Sequence, residues 1–544
     1  MAVVGVEELV QLVRLVLLDN QSGNAVAIGT GSGNNNQSQS AIAIGISAGT
    51  INQSTNGIAI GSAAGAIGQG TDSISIGTFS GQNNQGTESV AISYQAGQIQ
   101  QGSYAIAIGY QAGQKSQGIE SVAIGYQAGQ SQDQDAIAIG YQAGQTMQQP
   151  ETVAIGYQAG QSFQQWDAIA IGYQAGQLAQ NSETIAIGYQ AGQASQSNDS
   201  VAIGYNAGRT NQLGNSIAIG YDAGTNNQQA QSIAIGGYAG STNQGLSSVA
   251  IGNQAAQGNM GNYCVAIGNS AGQLSQSNNS IAIGNSAGYF QQGTNSISIG
   301  NNSSPNQQQT EAVAIGFRAG EVIQGTGSVA IGTNAGRNFQ GYYAVSIGNN
   351  AGSSYQGTCS IAIGQYAGYP SSVQNSIILN ASGNTLDGYT GGFFVNPIRT
   401  VDDSGINGAL QYNTSTKELS FNTTKTFVID HPSNVNKYLV HACLEGPEAG
   451  VYYRGKDEIV NNEKTICLPD YVCQIAKNFT VSITPIGKPR TFGTSEVENN
   501  SFTVYGEGKF FWHVYGTRSE IETEIDKDKN IINKYGPYCW VQKK

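Results

Sequence analysis

A sixteen-residue unit, typified by Ala105-Ile106-Ala107-Ile108-Gly109-Tyr110-Gln111-Ala112-Gly113-Gln114, recurs twenty-two times between Ala25 and Asn375. A fixed period of this length marks a solenoid, in which each repeat packs on its neighbours and the stack spans distance or presents a surface instead of enclosing a substrate. This feature governs about two thirds of the 544 residues.

Within the unit, position 2 is Val or Ile and position 4 is Ile in every copy, while positions 1 and 3 hold Ala, Ser, Thr and similar small residues. The alternation predicts a short strand with one aliphatic and one small face. The aliphatic face is expected to form the dry interior. Gly follows at position 5 in all copies but one (Ser93) and at position 9 in all but two (Ala256, Ser304). Glycine tolerates positive φ, so the pair predicts two bends around a second brief strand, Tyr110-Gln111-Ala112 in the middle copies, and one coil per unit.

Position 13 is Gln in nineteen copies, among them Gln37, Gln53, Gln69, Gln117, Gln180, Gln244 and Gln340. With coils stacked about 4.8 Å apart, these side chains are expected to form an amide ladder in which each donates to the next. The copy Ser121 to Asp135 has fifteen residues, the missing one falling after Gly129 in the variable stretch, which is expected to face solvent. Twenty-two such coils make a rod on the order of 100 Å long.

The units Ser121-Val122-Ala123-Ile124-Gly125 and Asn279-Ser280-Ile281-Ala282-Ile283-Gly284 resemble the head repeats of YadA-type trimeric adhesins. The resemblance covers roughly residues 25 to 380, and this repeat is longer and richer in Gln than the usual unit. It implies a left-handed parallel β-roll wound as a homotrimer.

Only 10% of the chain is charged, and amides take the place of charges. An unbroken Ile register argues against a disordered amide-rich tract. The net charge of -12 is unevenly spread: residues 20 to 380 carry 4 basic and 12 acidic groups, and residues 381 to 544 carry 17 and 19. A rod nearly bare of Lys and Arg has no basic stripe for phosphates, which excludes nucleic acid and disfavours an anionic membrane.

Position 16 is acidic in Asp72, Glu88, Glu120, Asp135, Glu151, Asp167, Glu183 and Asp199. One carboxylate per turn is a sparser donor set than calcium-binding rolls use, so a solvated column is expected and no metal site is assigned. The Tyr column from Tyr94 to Tyr221 reads as packing sooner than as a sugar platform. The six cysteines (Cys264, Cys359, Cys443, Cys467, Cys473, Cys539) lack CxxC pairs and read as free thiols from a reducing compartment, with a Cys467 to Cys473 bridge as the lesser alternative.

Residues 1 to 24 form an apolar cap or docking segment in which Val3, Val6, Val10, Val13 and Leu17 follow helical spacing. Three roles stay open for it: a helix on a threefold axis, a dock to a larger particle, or a plain cap on the first coil. It is interrupted by Glu7, Glu8 and Arg14 and reads as neither secretory signal nor membrane span. The shaft is expected over 25 to 380, a collar over 381 to 425, and a globular tip over 426 to 544. Strand-rich runs such as Phe479-Thr480-Val481-Ser482-Ile483 and Lys509-Phe510-Phe511-Trp512-His513-Val514-Tyr515 make the tip an antiparallel sandwich or jelly roll.

The stretch Asp430-His431-Pro432 through Leu444-Glu445-Gly446-Pro447-Glu448 and Gly450-Val451-Tyr452-Tyr453-Arg454-Gly455 resembles a C-terminal module of fibre proteins from large algal viruses and cyanophages. That resemblance implies a virion surface protein and supplies no catalytic residues. His431, His441, Glu445 and Glu448 are the candidates for acid/base or metal chemistry, yet no HExxH, nucleophile elbow or paired-carboxylate pattern surrounds them. No catalytic, cofactor-binding or metal residue is assigned.

The expectation is therefore an all-β, non-enzymatic, homotrimeric viral fibre without cofactors, located at the virion surface and assembled in the host cytoplasm. Its partners would be itself, capsid or other virion proteins through the N-terminal segment, and a host glycan or receptor through the C-terminal domain. The alternatives are a bacterial-type surface adhesin, a purely structural capsid component and a virion-bound glycan-processing enzyme. Against the adhesin, the chain ends at Gln542-Lys543-Lys544 without a stalk and membrane anchor.

Overall fold

The computed structural model describes residues 21–398, 409–417, 419–422, 426–430, 436, 438–442, 449–519, 530–534 and 539–543. The chain divides into two compact units, Met1–Pro397 and Ile398–Lys544. The expected helix over residues 3 to 17 lies outside the described residues.

Each repeat of the first unit is one coil of a parallel β-solenoid. Positions 2 to 4 form a three-residue strand that pairs in register with its successor, as Ile169, Ala170 and Ile171 do with Ile185, Ala186 and Ile187. Stacked, these strands make one sheet of 24. Positions 11 to 13 form a second sheet of 14 strands and, after an interruption, 5 more. Corner residues join the stacking as well: Gly172 N donates to Ile155 O at 2.8 Å and Gly176 N to Ala191 O at 2.9 Å.

The inside of the coil overturns the expected orientation. Position 3 is the buried one: Ala154, Ala170, Ala186 and Ala202 are 0% exposed, as are the position 8 alanines Ala159, Ala175 and Ala191. The flanking Val and Ile of every strand point outward and keep part of their surface, reaching 57% at Ile28 and 37% at Ile76. A sixteen-residue coil brings its two sheets so close that a methyl group fills the space between them. Period two identifies two faces without saying which is inside.

The position 13 glutamines cross this narrow lumen. Gln164 is 0% exposed, and its Nε2 donates to Val153 O at 2.9 Å and Ala168 O at 2.8 Å. Each amide thus ties the strand of its own coil to the start of the next, and this is the dominant pattern. Amide-to-amide bonds, the ladder expected from the spacing, occur only in some coils, such as Gln308 to Gln324 at 3.0 Å and Gln340 to Gln356 at 3.0 Å.

The amides also explain one glycine corner. Gly160 sits at φ +50, and a Cβ there would lie 2.6 Å from Gln164 Oε1. The position 5 corner has a different cause: Gly172 sits at φ +132, and its Cβ would meet Gly188 O at 2.4 Å. Where Ala256 replaces the position 9 glycine, position 13 is Met260 instead of Gln, so the amide that a Cβ would strike is missing. There the second sheet reduces to isolated bridges, Gln244 to Met260 and Met260 to Gln276.

The fifteen-residue coil behaves as expected. Its second strand shrinks to Ser131–Gln132, while Gln132 still donates to Val122 O at 3.2 Å. The stack also runs past the boundary drawn at residue 380. Ser376–Asn380 pairs in parallel with Gly392–Asn396, where Phe393 and Val395 continue the outward apolar pattern without the Ile-x-Ile-Gly signature.

The second unit is antiparallel. Ala449–Ile459, Gly508–Ser519 and Lys477–Pro485 form one three-stranded sheet, and Glu463–Cys467, Ser501–Tyr505 and Gly493–Thr494 form another. Both contribute to one core, Ile459, Phe510 and Val514 from the first and Ile466, Phe502 and Val504 from the second. Of the two expected arrangements this is a small sandwich. Trp512 packs edge-on against Phe502 with centroids 5.7 Å apart, and its indole occupies the place of a side chain on Gly455. Burial beside Tyr471 pushes the Tyr453 phenol up to about 12. Three antiparallel strand pairs accompany this core: Ala409–Tyr412 with Leu419–Asn422, Thr426–Asp430 with Tyr438–Ala442, and Asn530–Lys534 with Cys539–Lys543.

Two substitutions test the coil in opposite directions. Gly172→Ala puts a methyl against a backbone oxygen at a φ that L-residues avoid, and is expected to cost roughly 1–3 kcal/mol or more. Ile323 is a β-branched residue at φ +49, so Ile323→Asn is expected to stabilise by about 1 kcal/mol. Thermal unfolding followed by circular dichroism reads both shifts.

Candidate functional site

Because the lumen is filled, whatever the first unit does it does on its outside. The outward Val and Ile of positions 2 and 4 align into a continuous aliphatic face, two side chains per coil over every repeat. Contiguous apolar patches of more than a few hundred Å² are rare on isolated soluble proteins and mark surfaces that another molecule covers. Sequence reasoning assigned this stripe to the interior. The signal that places it outside is the uniform smallness of position 3, which only a narrow lumen demands.

The opposite sheet presents variable residues at positions 11 and 12. Asn211, Asn227, Asn243 and Asn259 form a chain of exposed amide bonds at 2.9–3.0 Å there. Its variety contrasts with the invariance of the aliphatic face.

Along the corner between the sheets runs the Tyr column. From Tyr94 to Tyr221, successive rings stack with centroids 4.9–5.2 Å apart and planes within 15°. Phe79 and Tyr238 close the ends edge-on. Each ring covers its neighbour's face and leaves edge and hydroxyl exposed, so the column cannot offer the ring faces on which sugars stack. Two surface amide ladders flank it. Gln174 donates to Gln158 Oε1 at 3.0 Å and Gln190 to Gln174 at 2.9 Å, while Gln177 donates to Gln161 at 3.0 Å. The column is packing.

The position 16 carboxylates are all exposed. Among the described residues no group of three or more His, Cys, Asp or Glu is placed to hold a metal ion. A hydrogen bond with Asp167, and the like charges of Asp167 and Asp135, hold the Glu151 carboxyl above the usual carboxylate range. A separate cluster escaped the sequence reading: Glu321 takes an ion pair from Arg318 at 3.0 Å and another from Arg337 in the next coil. Both arginines occupy corner positions where the middle coils carry the amide ladders, so only spatial stacking brings them together.

Of the residues singled out for chemistry, His431, Glu445 and Glu448 lie outside the described residues. His441 belongs to the strand Tyr438–Ala442, opposite Phe427. Cys264, Cys359, Cys467 and Cys473 are free thiols, which removes the Cys467 to Cys473 bridge. Cys443 lies outside the described residues. Among those residues no helix is long and apolar enough to cross a membrane.

Comparison with known proteins agrees with the architecture of the first unit. The YadA head domain repeat matches the chain twice, at residues 116–143 and 214–239. Both matches fall within the solenoid, which is similar to the repeats of an adhesin-like structural fibre. No curated protein matches the chain.

Glu151 gives a pH test. A raised carboxylate pKa means that the folded state holds the proton more tightly than the unfolded one. The solenoid therefore loses stability as pH rises from about 4 through the raised value. Glu151→Gln is expected to raise the unfolding temperature at pH 7 and to leave it unchanged below about pH 4, where the carboxyl is already protonated. Paired melting curves at the two pH values check this.

Proposed function

We propose that the chain is a non-enzymatic, homotrimeric fibre on the surface of a large virus. The solenoid is its shaft, the N-terminal segment faces the particle, and the second unit contacts the host or registers the trimer. Assembly takes place in the host cytoplasm.

The observation that carries the assembly is the outward aliphatic face. Copies that set these faces together cover it along its whole length. Covering the remaining third of each side chain is worth roughly 0.5–1 kcal/mol, a fraction of the ~1.5–3 kcal/mol for complete burial. The gain recurs in every coil, which suits an obligate interface. The similarity to YadA head repeats supports three copies over two, since adhesins of that type form homotrimers. The module-like stretch from Asp430 to Gly455 supports a viral setting. Three linked copies of the second unit would raise effective concentration, so weak single contacts suffice for attachment.

The matched repeats favour a second reading, a bacterial-type surface adhesin with the same trimeric shaft. Labelling intact virus particles with antibody to residues 449–519 tests the viral reading: accessible label is expected, and its absence from particles that contain the chain would sink the attachment role.

Light scattering of the purified chain is expected to give a mass of three chains, each 56.5 kDa. A charge in the middle of the aliphatic face is expected to break the assembly, so Ile203→Glu with Ile219→Glu should shift the mass downward. A wild-type species of 56.5 kDa would contradict the trimer.

A further inference from the structure

The first sheet of the second unit has one face against the core and one face open. Strand alternation puts Tyr453, Trp512 and Val514 inward and leaves a regular outer grid. Register pairs Tyr452 with Tyr515 and Thr480, then Arg454 with His513 and Ser482, then Lys456 with Phe511 and Thr484. Arg454 thus lies between two rows that carry aromatic rings, and Lys456 shares its row with Phe511. A shallow concavity is lined by Arg454, Gly455, Lys456, Phe511 and His513.

Three properties of this face point to one kind of occupant. First, these nine outer residues, and the Gly450–Thr517 and Glu458–Lys509 pairs that flank them, include no aliphatic side chain, whereas the core of an obligate subunit interface is apolar and depleted of charge. Second, Tyr452, Phe511 and Tyr515 are 43%, 46% and 48% exposed. Tyr452 and Tyr515 form a two-ring stack that ends after one pair, so each keeps one face clear, unlike the inner tyrosines of the shaft column, which are covered on both sides. The Tyr452 and Tyr515 rings sit 6.2 Å apart as a pair at one end of the concavity, and Phe511 stands at the other. Third, Arg454 and Lys456 have no ion-pair partner among the described residues, although nearby Lys464 and Lys509 are paired with Asp457 and Glu458. Two unpaired cations two residues apart on one face of a strand attract an anion.

We propose that this face binds an anionic sugar unit of a surface polysaccharide. The acid group would lie on Arg454 and Lys456, to which guanidinium offers a planar, two-pronged contact. The sugar's apolar C–H face would rest on Phe511 or Tyr515, and Ser482 and the two threonines would meet its hydroxyls. This assignment rests on the attachment reading and gives it a ligand class.

The test uses the full-length chain on immobilised polygalacturonate, dextran sulfate and neutral dextran. Retention on an anionic matrix and not on dextran is expected, and the two anionic arms distinguish a carboxylate from a sulfate ligand. A chain repelled overall by polyanions is retained only through a local site. Arg454→Gln with Lys456→Gln is expected to weaken retention at least tenfold. Phe511→Ala, which leaves charge unchanged, is expected to weaken it comparably. Retention that survives Phe511→Ala would mean general attraction to exposed cations and would overturn the proposal, as would retention on none of the matrices or equal retention on dextran. Those failures leave the attachment reading standing, because it falls separately, on particles whose second unit no antibody reaches.

Discussion

The gap between the two sheets of a coil is about one methyl group wide, and the other features of the solenoid follow from it. Only Ala, Ser and similar residues fit at positions 1, 3 and 8, so the lumen contributes little hydrophobic stabilisation per coil. The large aliphatic side chains are displaced to the outside. A chain built in this way holds its coil together with backbone hydrogen bonds and leaves its apolar surface outside.

Glutamine solves the polar problem that this geometry creates. Carbonyls at the start of each strand face the lumen, where no water can reach them, and most position 13 amides donate to two, as Gln164 does to Val153 and Ala168, while Gln148 and Gln180 donate to one and to the next amide. The same amide favours glycine at position 9, although Ser304 coexists with Gln308 in one coil. The co-occurrence of Ala256 with Met260 shows the two constraints relaxing together, at the point where the second sheet breaks into bridges. Outside, amide ladders replace the charges of ordinary surfaces, because like charges repeated at every coil repel one another, as at Glu151.

Periodicity made the solenoid, its first strand, both corners and the solvent-facing site of the missing residue legible, but it misplaced the second strand. Tyr110-Gln111-Ala112 between the glycines is a turn, and the strand runs through positions 11 to 13, as at Ser162–Gln164. It could not orient the strand. Alternation between Ala170 and Ile171 looks the same whichever face is inside, and the usual preference for burying Ile misleads when the interior is too narrow for it. The Gln ladder was half legible: the spacing showed that the amides stack, but their principal partners are backbone oxygens eleven residues back and four ahead. The continuation through Phe393 and Val395 lacked the glycine signature and escaped notice. The cationic and aromatic face of the second unit was invisible because Arg454 and His513 are distant in sequence, and only antiparallel register sets them side by side.

The central claim is that the invariant aliphatic residues face outward and are covered by other copies of the same chain. Single cysteines introduced at Ile219 and, separately, at Ala218, in a chain whose six native cysteines are replaced by serine, test it directly through oxidative cross-linking of the assembled protein. Ile219→Cys is predicted to yield covalently linked chains on a denaturing gel, and Ala218→Cys, with its thiol inside the lumen, is predicted to yield none. Cross-linking from position 218 with none from position 219 would contradict the account.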